Sequence, residues 1–588
     1  MCGIAAAFAY RDGAPAVARA EVEAMTQRMF ARGPDAGGTW FSPDGRVGLG
    51  SRRLAIIDLS PEGTQPMFDV AGELAIVFNG EIYNHRELRV RLESTGARFH
   101  SSTDTEVLLQ LYRRDGAAMV ELLRGMFAFA IWDLRERRMF IARDPYGIKP
   151  LYLADDGGTI RLASQVKALL AGGKISRQRD EAGIAGFFVM GSVPEPFTTY
   201  RDIRAVEAGT AFHVGANGPE QARRYFSIAK TFRWANQQRR IATLVQPPTL
   251  LREFVDESLR AHLVSDVPVG AFLSAGIDST TLAALATDAT LQPLRTVTLQ
   301  FDVFRGTPRD EAPVAERFAQ ERGFEHETRV VTREEVLADL PRYFEEMDQP
   351  TIDGVNTWFV SKAAAERGLK VALSGLGGDE LFGSYPSFRS LPRLLRAARV
   401  PLAANALGRF SKRPKAAGIS LYGSTWHGAY LLQRGLYLPE ELGAVMGEEA
   451  ARAGLGRLQI VDRIAAAIEE DPLTNYGRVA TLEAALYMRN QLLRDTDWAS
   501  MAHSLEVRTP LVDAWLLRQL APIAVQQGSR CKQYFAMAPR PPLPEWLRNR
   551  PKSGFSVPLA QWLDLPPDGT STRMRSWAHL VYEKTIAS

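Results

Sequence analysis

Along the chain the apolar residues fall into two regimes. In the first, short runs of apolar and aromatic residues are bounded by turn formers. Residues 3–10, "GIAAAFAY", read as a strand, and "ELAIVFNGEIYN" reads as a strand running into a turn. "MFAFAIWD" followed by "RMFIARDPYG" predicts a hairpin pair. Between Gly215 and Pro248 the pattern breaks into "GANGPE", "QQRR" and "QPP", which predicts a boundary. In the second regime, Leu251, Phe254, Val255, Leu259 and Leu263 recur at helical spacing. Strands then alternate with helices: "VGAFLS" before "TTLAALA", "RTVTLQF" before "EAPVAERFAQERG", and "KVALS" after "SKAAAERG". That alternation predicts a parallel sheet in an α/β domain. From about residue 390 helical patterns dominate until a proline-rich tail.

At 588 residues the chain exceeds one core, and two to four domains are expected. Composition is that of a globular protein, 46% hydrophobic and 23% charged, and no apolar run approaches the roughly 20 residues that span a bilayer. The net charge of +4 is mild, and "QQRR" and "RERR" read as solvated faces, so neither nucleic acid nor membrane is expected as a partner. Two cysteines, Cys2 and Cys531, make no disulfide framework, which predicts a reducing compartment, the cytoplasm.

Four segments carry candidate chemistry. Cys2 becomes amino-terminal if Met1 is removed, placing a thiol and an α-amine on one carbon; the plainer reading is a small residue opening a buried strand. A signal peptide is disfavoured, since no Lys or Arg precedes the apolar run. "FLSAGIDST" joins a strand to a helix, so Ser274, Ala275 and Gly276 let backbone approach an anion at a helix start, with Asp278 and Ser279 beside it. Taken alone it is also an ordinary strand-to-helix turn, and no Walker-type loop occurs. "LSGLGGDELFGSY" clusters glycines where a strand stops and then presents Asp379 and Glu380. Two such strand ends, each with an acid, suit Mg²⁺ bridging phosphates. "RPKSGFSVP" offers Lys552, a solvated lysine by itself and a candidate cation for a phosphoryl-bearing transition state beside the other loops.

With these residues in hand, the chain resembles glutamine-hydrolysing asparagine synthetases of the B type, which join a class II glutaminase to an ATP-pyrophosphatase domain. The resemblance rests on "MCGIA", "RGPDAGG", "RRLAIIDLS", "NGEIYNH", "STDTEVLLQLY", "GMFAFAIWD", "RDPYGIKPLY", "LSAGIDS", "SGLGGDE", "SMAHSLEVRTPLVD" and "RPKSGF", in the family's order. It implies an amino-terminal Ntn-hydrolase-type αββα sandwich over 1–212, a linker over 213–245, and an α/β parallel-sheet ATP-pyrophosphatase domain with added helices over 246–588. By the same resemblance Cys2 is the nucleophile on glutamine, and its α-amine, of ordinary pKa about 7.7–8.0, is the base. Asn79 and Gly80 would stabilise the oxyanion, where one donor is worth roughly 2.7–4 kcal/mol. Arg53 matches the carboxylate-binding arginine, Leu54, Ala55, Ile56 and Ile57 line the glutamine site, and Glu81 and Asp104 hold the ammonium. Ser274, Gly276, Asp278 and Ser279 would hold pyrophosphate, and Leu273, Val297, Ser374 and Gly375 the nucleotide. Asp278 and Asp379 would bind Mg²⁺, Lys552 would face the reacting phosphate, and ammonia would pass between domains through a tunnel. The implied partners are glutamine, ATP and an acceptor carboxylate, with aspartate favoured; a homodimer stays open.

The match departs at four places. Ala275 replaces the second glycine of the SGGxDS loop, tolerable unless that position needs φ > 0. Leu376 stands where the family carries a glutamate linked to adenylate formation, Trp498 where relatives have arginine, and Gln165 where glutamate is commoner. Asp497 is the remaining acidic candidate near adenylate formation. Because Leu376 and Trp498 fall in the synthetase half, a second acceptor class stays open: a sugar acid or a natural-product acid. A non-catalytic scaffold or nitrogen sensor would show erosion at Cys2, Asn79, Asp278 or Asp379, and all four are intact.

Overall fold

The computed structural model describes residues 2–238, 247–290, 293–398, 418–551, 557–565 and 569–587, with side chains at 569–572 excepted. Among the described residues three sheets form. The strand Cys2–Ala9 lies inside the first, a six-stranded sheet, paired antiparallel with Val47–Arg53 on one side and Thr159–Ala163 on the other. Its alternation explains its composition. Ile4, Ala6 and Phe8 face the second sheet, whereas Ala5, Ala7 and Ala9 face outward. The outward face is alanine because helix Arg19–Arg28 lies close over it: a Cβ on Gly48 would fall 2.8 Å from Val22.

Leu74–Ile82 pairs with Gly125–Asp133, and that strand with Arg138–Arg143, in the second sheet, as the hairpin pattern predicts. Ala75, Val77, Ala128 and Ala130 join the inter-sheet core. Leu74, Ile76, Phe127 and Phe129 point the other way, against helices His85–Ser94 and Asp104–Asp115. The result is four layers, helix–sheet–sheet–helix.

The segment expected as a linker is structured over much of its length. Thr210–Gly215 and Gly218–Pro219 form a hairpin on the second sheet, Arg223–Arg224 pairs beside it, and Ile228–Gln237 is a helix. "GANGPE" breaks the pattern because it is the hairpin's turn, with Gly218 at φ 94°. Residues 239–245 lie outside the described residues.

The third sheet is parallel, ordered Glu325–Val331, Arg295–Phe301, Val269–Phe272, Val371–Leu373 and Glu506–Arg508. Helix Ile277–Ala289 follows the central strand and Ala312–Arg322 the next. The edge strand Glu506–Arg508 falls where the sequence reads as helical, since three residues are too few to show a period of two.

Helix Glu181–Met190 joins the halves. Ala182, Ile184, Ala185, Phe187 and Phe188 are buried in one cluster with Leu458, Trp498 and Trp577. Glycine in a helix usually costs roughly 0.5–1 kcal/mol relative to alanine. At Gly183 that sign reverses, because an added Cβ would lie 1.9 Å from the Thr198 carbonyl oxygen. Gly183→Ala is therefore expected to destabilise by about 1–3 kcal/mol, read as a lower melting temperature; an unchanged or higher one would refute the close packing.

Candidate functional site: a glutamine centre and a phosphate centre

In the first half, strand pairing sets Cys2 beside Arg53, and the Cys2 backbone nitrogen donates to Asn79 Oδ1 at 3.0 Å. Cys2 is buried, and burial pushes its thiol pKa up. With Oδ1 engaged, the Asn79 Nδ2 donor is buried and has no hydrogen-bond partner. A buried donor without a partner is uncommon in a native fold. Gly80 must be glycine because a Cβ there would lie 2.1 Å from the Met126 carbonyl oxygen. Arg53 donates to the carbonyls of Ile57, Asp58 and Ser60, which shapes the loop carrying Leu54, Ala55, Ile56 and Ile57. Asp104 opens helix Asp104–Asp115 and accepts the Ile82 N–H at 2.9 Å, which ties it to the strand bearing Asn79, Gly80 and Glu81.

Glu81 is 3.7 Å from the Arg508 guanidinium, and its Oε2 is buried without a hydrogen-bond partner. Burial, with Glu506 nearby, pushes its carboxyl well above the usual range despite Arg508. Burial likewise raises Asp104. The arrangement gathers two buried acids and one buried thiol.

In the second half the two glycine-bearing loops meet. Ser274 and Ser279 hydroxyls lie 2.8 Å apart, and Gly276 N–H donates to Ser274 Oγ at 3.1 Å. Gly276 caps helix Ile277–Ala289, so Asp278 stands in its first turn. Ala275 keeps a negative φ, so alanine is accommodated without strain, and its N–H donates to Glu311. The second loop presses onto the first: a Cβ on Gly375 would lie 2.8 Å from the Ser279 nitrogen, and one on Gly378 2.3 Å from Asp278 Oδ1. Leu273 N–H donates to the Val297 carbonyl at 2.9 Å, and Ser374 N–H to the Arg508 carbonyl at 2.8 Å. Leu376 packs against the apolar core instead of presenting a polar group.

Lys532, on helix Arg530–Ala536, is the residue that motif reading misses. Its Nζ lies 2.5 Å from both Asp278 carboxylate oxygens and 3.1 Å from Asp379 Oδ1. Against the cost of burial, these two acids raise its pKa. The only signal in "RCKQYF" is a lysine between two core residues, Cys531 and Phe535. Two carboxylates converging on one cationic atom at the ends of parallel strands fit Mg²⁺, which takes one or two carboxylates plus phosphate oxygens. Lys552 lies outside the described residues.

Asp497, the acid expected near adenylate formation, is engaged at the seam between the halves. Its carboxylate accepts from Arg32 Nη1 at 2.7 Å and Nη2 at 3.1 Å, and Lys149 Nζ stands 3.6 Å away. Despite burial, Arg32 and Lys149 hold its pKa down. Arg32 also donates to the Cys2 carbonyl at 3.2 Å, so Asp497 serves the seam between halves. Trp498 is core: its indole N–H donates to Asp495 at 3.0 Å and its ring packs on Tyr343 and Trp358.

Residues 1–226 match the family described as glutamine amidotransferase domain, and residues 250–575 the family described as asparagine synthase. Over 601 residues the chain is 31% identical to asparagine synthetase [glutamine-hydrolyzing] 1 of Bacillus subtilis (strain 168), covering 100% of this chain and 90% of that protein. The chain belongs to the asparagine synthase family. Asparagine synthetase [glutamine-hydrolyzing] 3 of the same organism is 28% identical over 84% of this chain and 76% of its own length. Amidase chry2 of Gibberella zeae is 30% identical over 63% of this chain and 56% of its own. As a family member the chain is an ATP-dependent ligase that uses glutamine as nitrogen donor. Among the described residues no helix is long and apolar enough to cross a membrane.

The acids behind the seam predict a pH effect. Burial beside Asp353 raises Asp495 to about 7, above its ordinary value near 3.8, while Trp498 and Thr351 donate to it. A folded-state pKa above the unfolded one means stability is fully present below about 4 and is lost as pH rises through 7. Asp495→Asn keeps an acceptor for the Trp498 N–H, turns an N–H toward Thr351 Oγ1, and removes that loss. Its melting temperature relative to wild type should climb between pH 4 and 7 and then level off; a pH-independent difference would refute the assignment.

Proposed function

We propose that this protein is a glutamine-hydrolysing asparagine synthetase that amidates aspartate through an acyl-adenylate. The observation that carries the glutaminase step is the contact of the Cys2 nitrogen with Asn79 Oδ1, which leaves Asn79 Nδ2 without a partner beside the thiol. With Met1 removed, that nitrogen is a primary amine held in place by Asn79. It takes the Sγ proton as sulfur attacks the glutamine amide carbon, and Asn79 Nδ2 and the Gly80 N–H receive the developing oxyanion. The proton passes to the departing nitrogen, ammonia leaves, and water hydrolyses the thioester to glutamate. Arg53 pairs the substrate carboxylate. The substrate ammonium sits against Glu81 and Asp104, and its charge favours their ionised forms.

At the second centre an aspartate carboxylate oxygen attacks the α-phosphorus of ATP, and the bond to the bridging oxygen breaks to release pyrophosphate. Ser274, Gly276 and Ser279 cradle that leaving group at the start of helix Ile277–Ala289. Asp278 and Asp379 are placed to hold Mg²⁺, which when bound would neutralise charge on the transferring phosphates. Lys532, which pairs with both carboxylates, supplies a further positive charge beside them. Ammonia then attacks the acyl carbon and AMP departs. Support for aspartate comes from the asparagine synthetase relatives; support for a second reading, the same chemistry on a larger acid, comes from Leu376 and from the amidase relative.

The test supplies purified protein with Mg²⁺-ATP, aspartate and glutamine labelled with ¹⁵N at the amide. Labelled asparagine in step with AMP is expected, and its absence with aspartate would overturn that acceptor. Cys2→Ala should abolish glutamate release yet still make asparagine from added ammonia. Asn79→Ala should slow glutamine hydrolysis by about 10²–10³-fold.

A further inference from the structure

The loop after strand Val47–Arg53 carries Leu54, Ala55, Ile56 and Ile57, and part of its order comes from outside its own half. Ile56 and Asp58 are gripped together by one residue. The Asp266 N–H donates to the Ile56 carbonyl at 2.9 Å, and Asp266 Oδ2 accepts the Asp58 N–H at 2.7 Å. Ala55 is held one step further out. Its N–H donates to Asp35 Oδ2 at 2.9 Å, and the same oxygen accepts from Lys370 Nζ at 2.8 Å.

Both outside residues stand at the amino ends of strands in the parallel sheet. Asp266 lies just ahead of Val269–Phe272, and Lys370 immediately ahead of its neighbour Val371–Leu373. The carboxyl ends of these two strands open into the loops of the phosphate centre. One pair of strands thus meets the Arg53 loop at one end and carries Asp278 and Asp379 beyond the other.

Asp58 is where this loop takes its least common backbone conformation. Its φ of 57° lies in the left-handed region, which few residues other than glycine adopt, Asp and Asn among them. Its carboxylate accepts from Ser60 and from the N–H and hydroxyl of Ser102, close in sequence to Asp104. A conformation of this kind persists where its surroundings over-determine it. Asp266 supplies one of those restraints, and that one comes from the other half.

Resting on the glutaminase reading above, we propose that Asp266 is a positioning residue of the glutamine site. It acts through the loop, holding residues 54–57 in the shape that receives glutamine, with Lys370 supporting the same loop through Asp35. Glutamine binding then depends on a side chain of the synthetase half. Because Asp266 is exposed, its replacement leaves the buried core untouched.

Glutamate release by the full-length protein is measured against glutamine concentration. In Asp266→Ala the glutamine KM is expected to rise about fivefold, the weight of one hydrogen bond, while kcat changes by less than about twofold. Asp266→Asn should restore the wild-type KM, because its amide oxygen can accept the Asp58 N–H and its backbone N–H is unchanged. Lys370→Met should raise KM in the same direction by less, since its pair with Asp35 is part-exposed. Melting curves establish that each variant is folded. A glutamine KM unchanged in folded Asp266→Ala, a loss confined to kcat, or an Asn variant as impaired as the Ala variant overturns this inference and leaves the glutaminase reading standing. Wild-type protein that releases no glutamate overturns the glutaminase reading, and this inference with it.

Discussion

Arg32 donates two hydrogen bonds to Asp497 and a third to the carbonyl of Cys2, with Lys149 3.6 Å from the same carboxylate. The contact ties the amino-terminal strand to a helix of the other half. Arg32 and Lys149 belong to the sandwich, Asp497 to a helix of the other half, and all three are almost wholly buried. Compared with an apolar packing, a buried ion pair contributes little net stability; a single partner left unpaired costs about 3–5 kcal/mol. The contact therefore acts chiefly by penalising separation or misdocking of the halves. Because Arg32 also holds the Cys2 carbonyl, the position of Cys2 is tied to the docked state.

The phosphate centre has its own constraint, the approach of two loops. Gly375 and Gly378 lack a Cβ because the first turn of helix Ile277–Ala289 occupies that space. Bringing the loops together places Asp278 and Asp379 around one cation. Ala275 fits the same loop because its position keeps a negative φ, so the departure from glycine there costs no backbone strain.

What was legible in the sequence follows from how far each signal extends along the chain. The strand at residues 2–9, the hairpin at 125–143 and the strand–helix alternation after 269 are local patterns, and each appears as a local element. The glycine-rich loops were legible because their spacing is local too. Lys532 was not, since its partners are 254 and 153 residues away. Asp497 carried a local motif but takes its meaning from Arg32, 465 residues away. The polar stretch after Gly215 read as a boundary because a hairpin turn and a linker share the same residues.

The edge strand Glu506–Arg508 shows why the two chemistries share one chain. Its backbone pairs with Val371–Leu373, and the Arg508 carbonyl accepts the N–H of Ser374 in the nucleotide loop. The Arg508 side chain turns the other way. It bonds Glu506 and the carbonyls of His262 and Val264, and reaches within 3.7 Å of Glu81 at the glutamine centre. One residue thus fixes the Ser374 loop through its backbone and faces Glu81 through its side chain. A strand of three residues is a weak element by itself. Here it is held by a parallel neighbour on one side and by a buried guanidinium network on the other. Displacing Arg508 would take its guanidinium from the buried acids Glu81 and Glu506, which is unfavourable for the same reason that separating Arg32 from Asp497 is. The Arg32–Asp497 pair and the approach of Arg508 to Glu81 act in one direction: each is kept only while the sandwich and the parallel sheet remain docked.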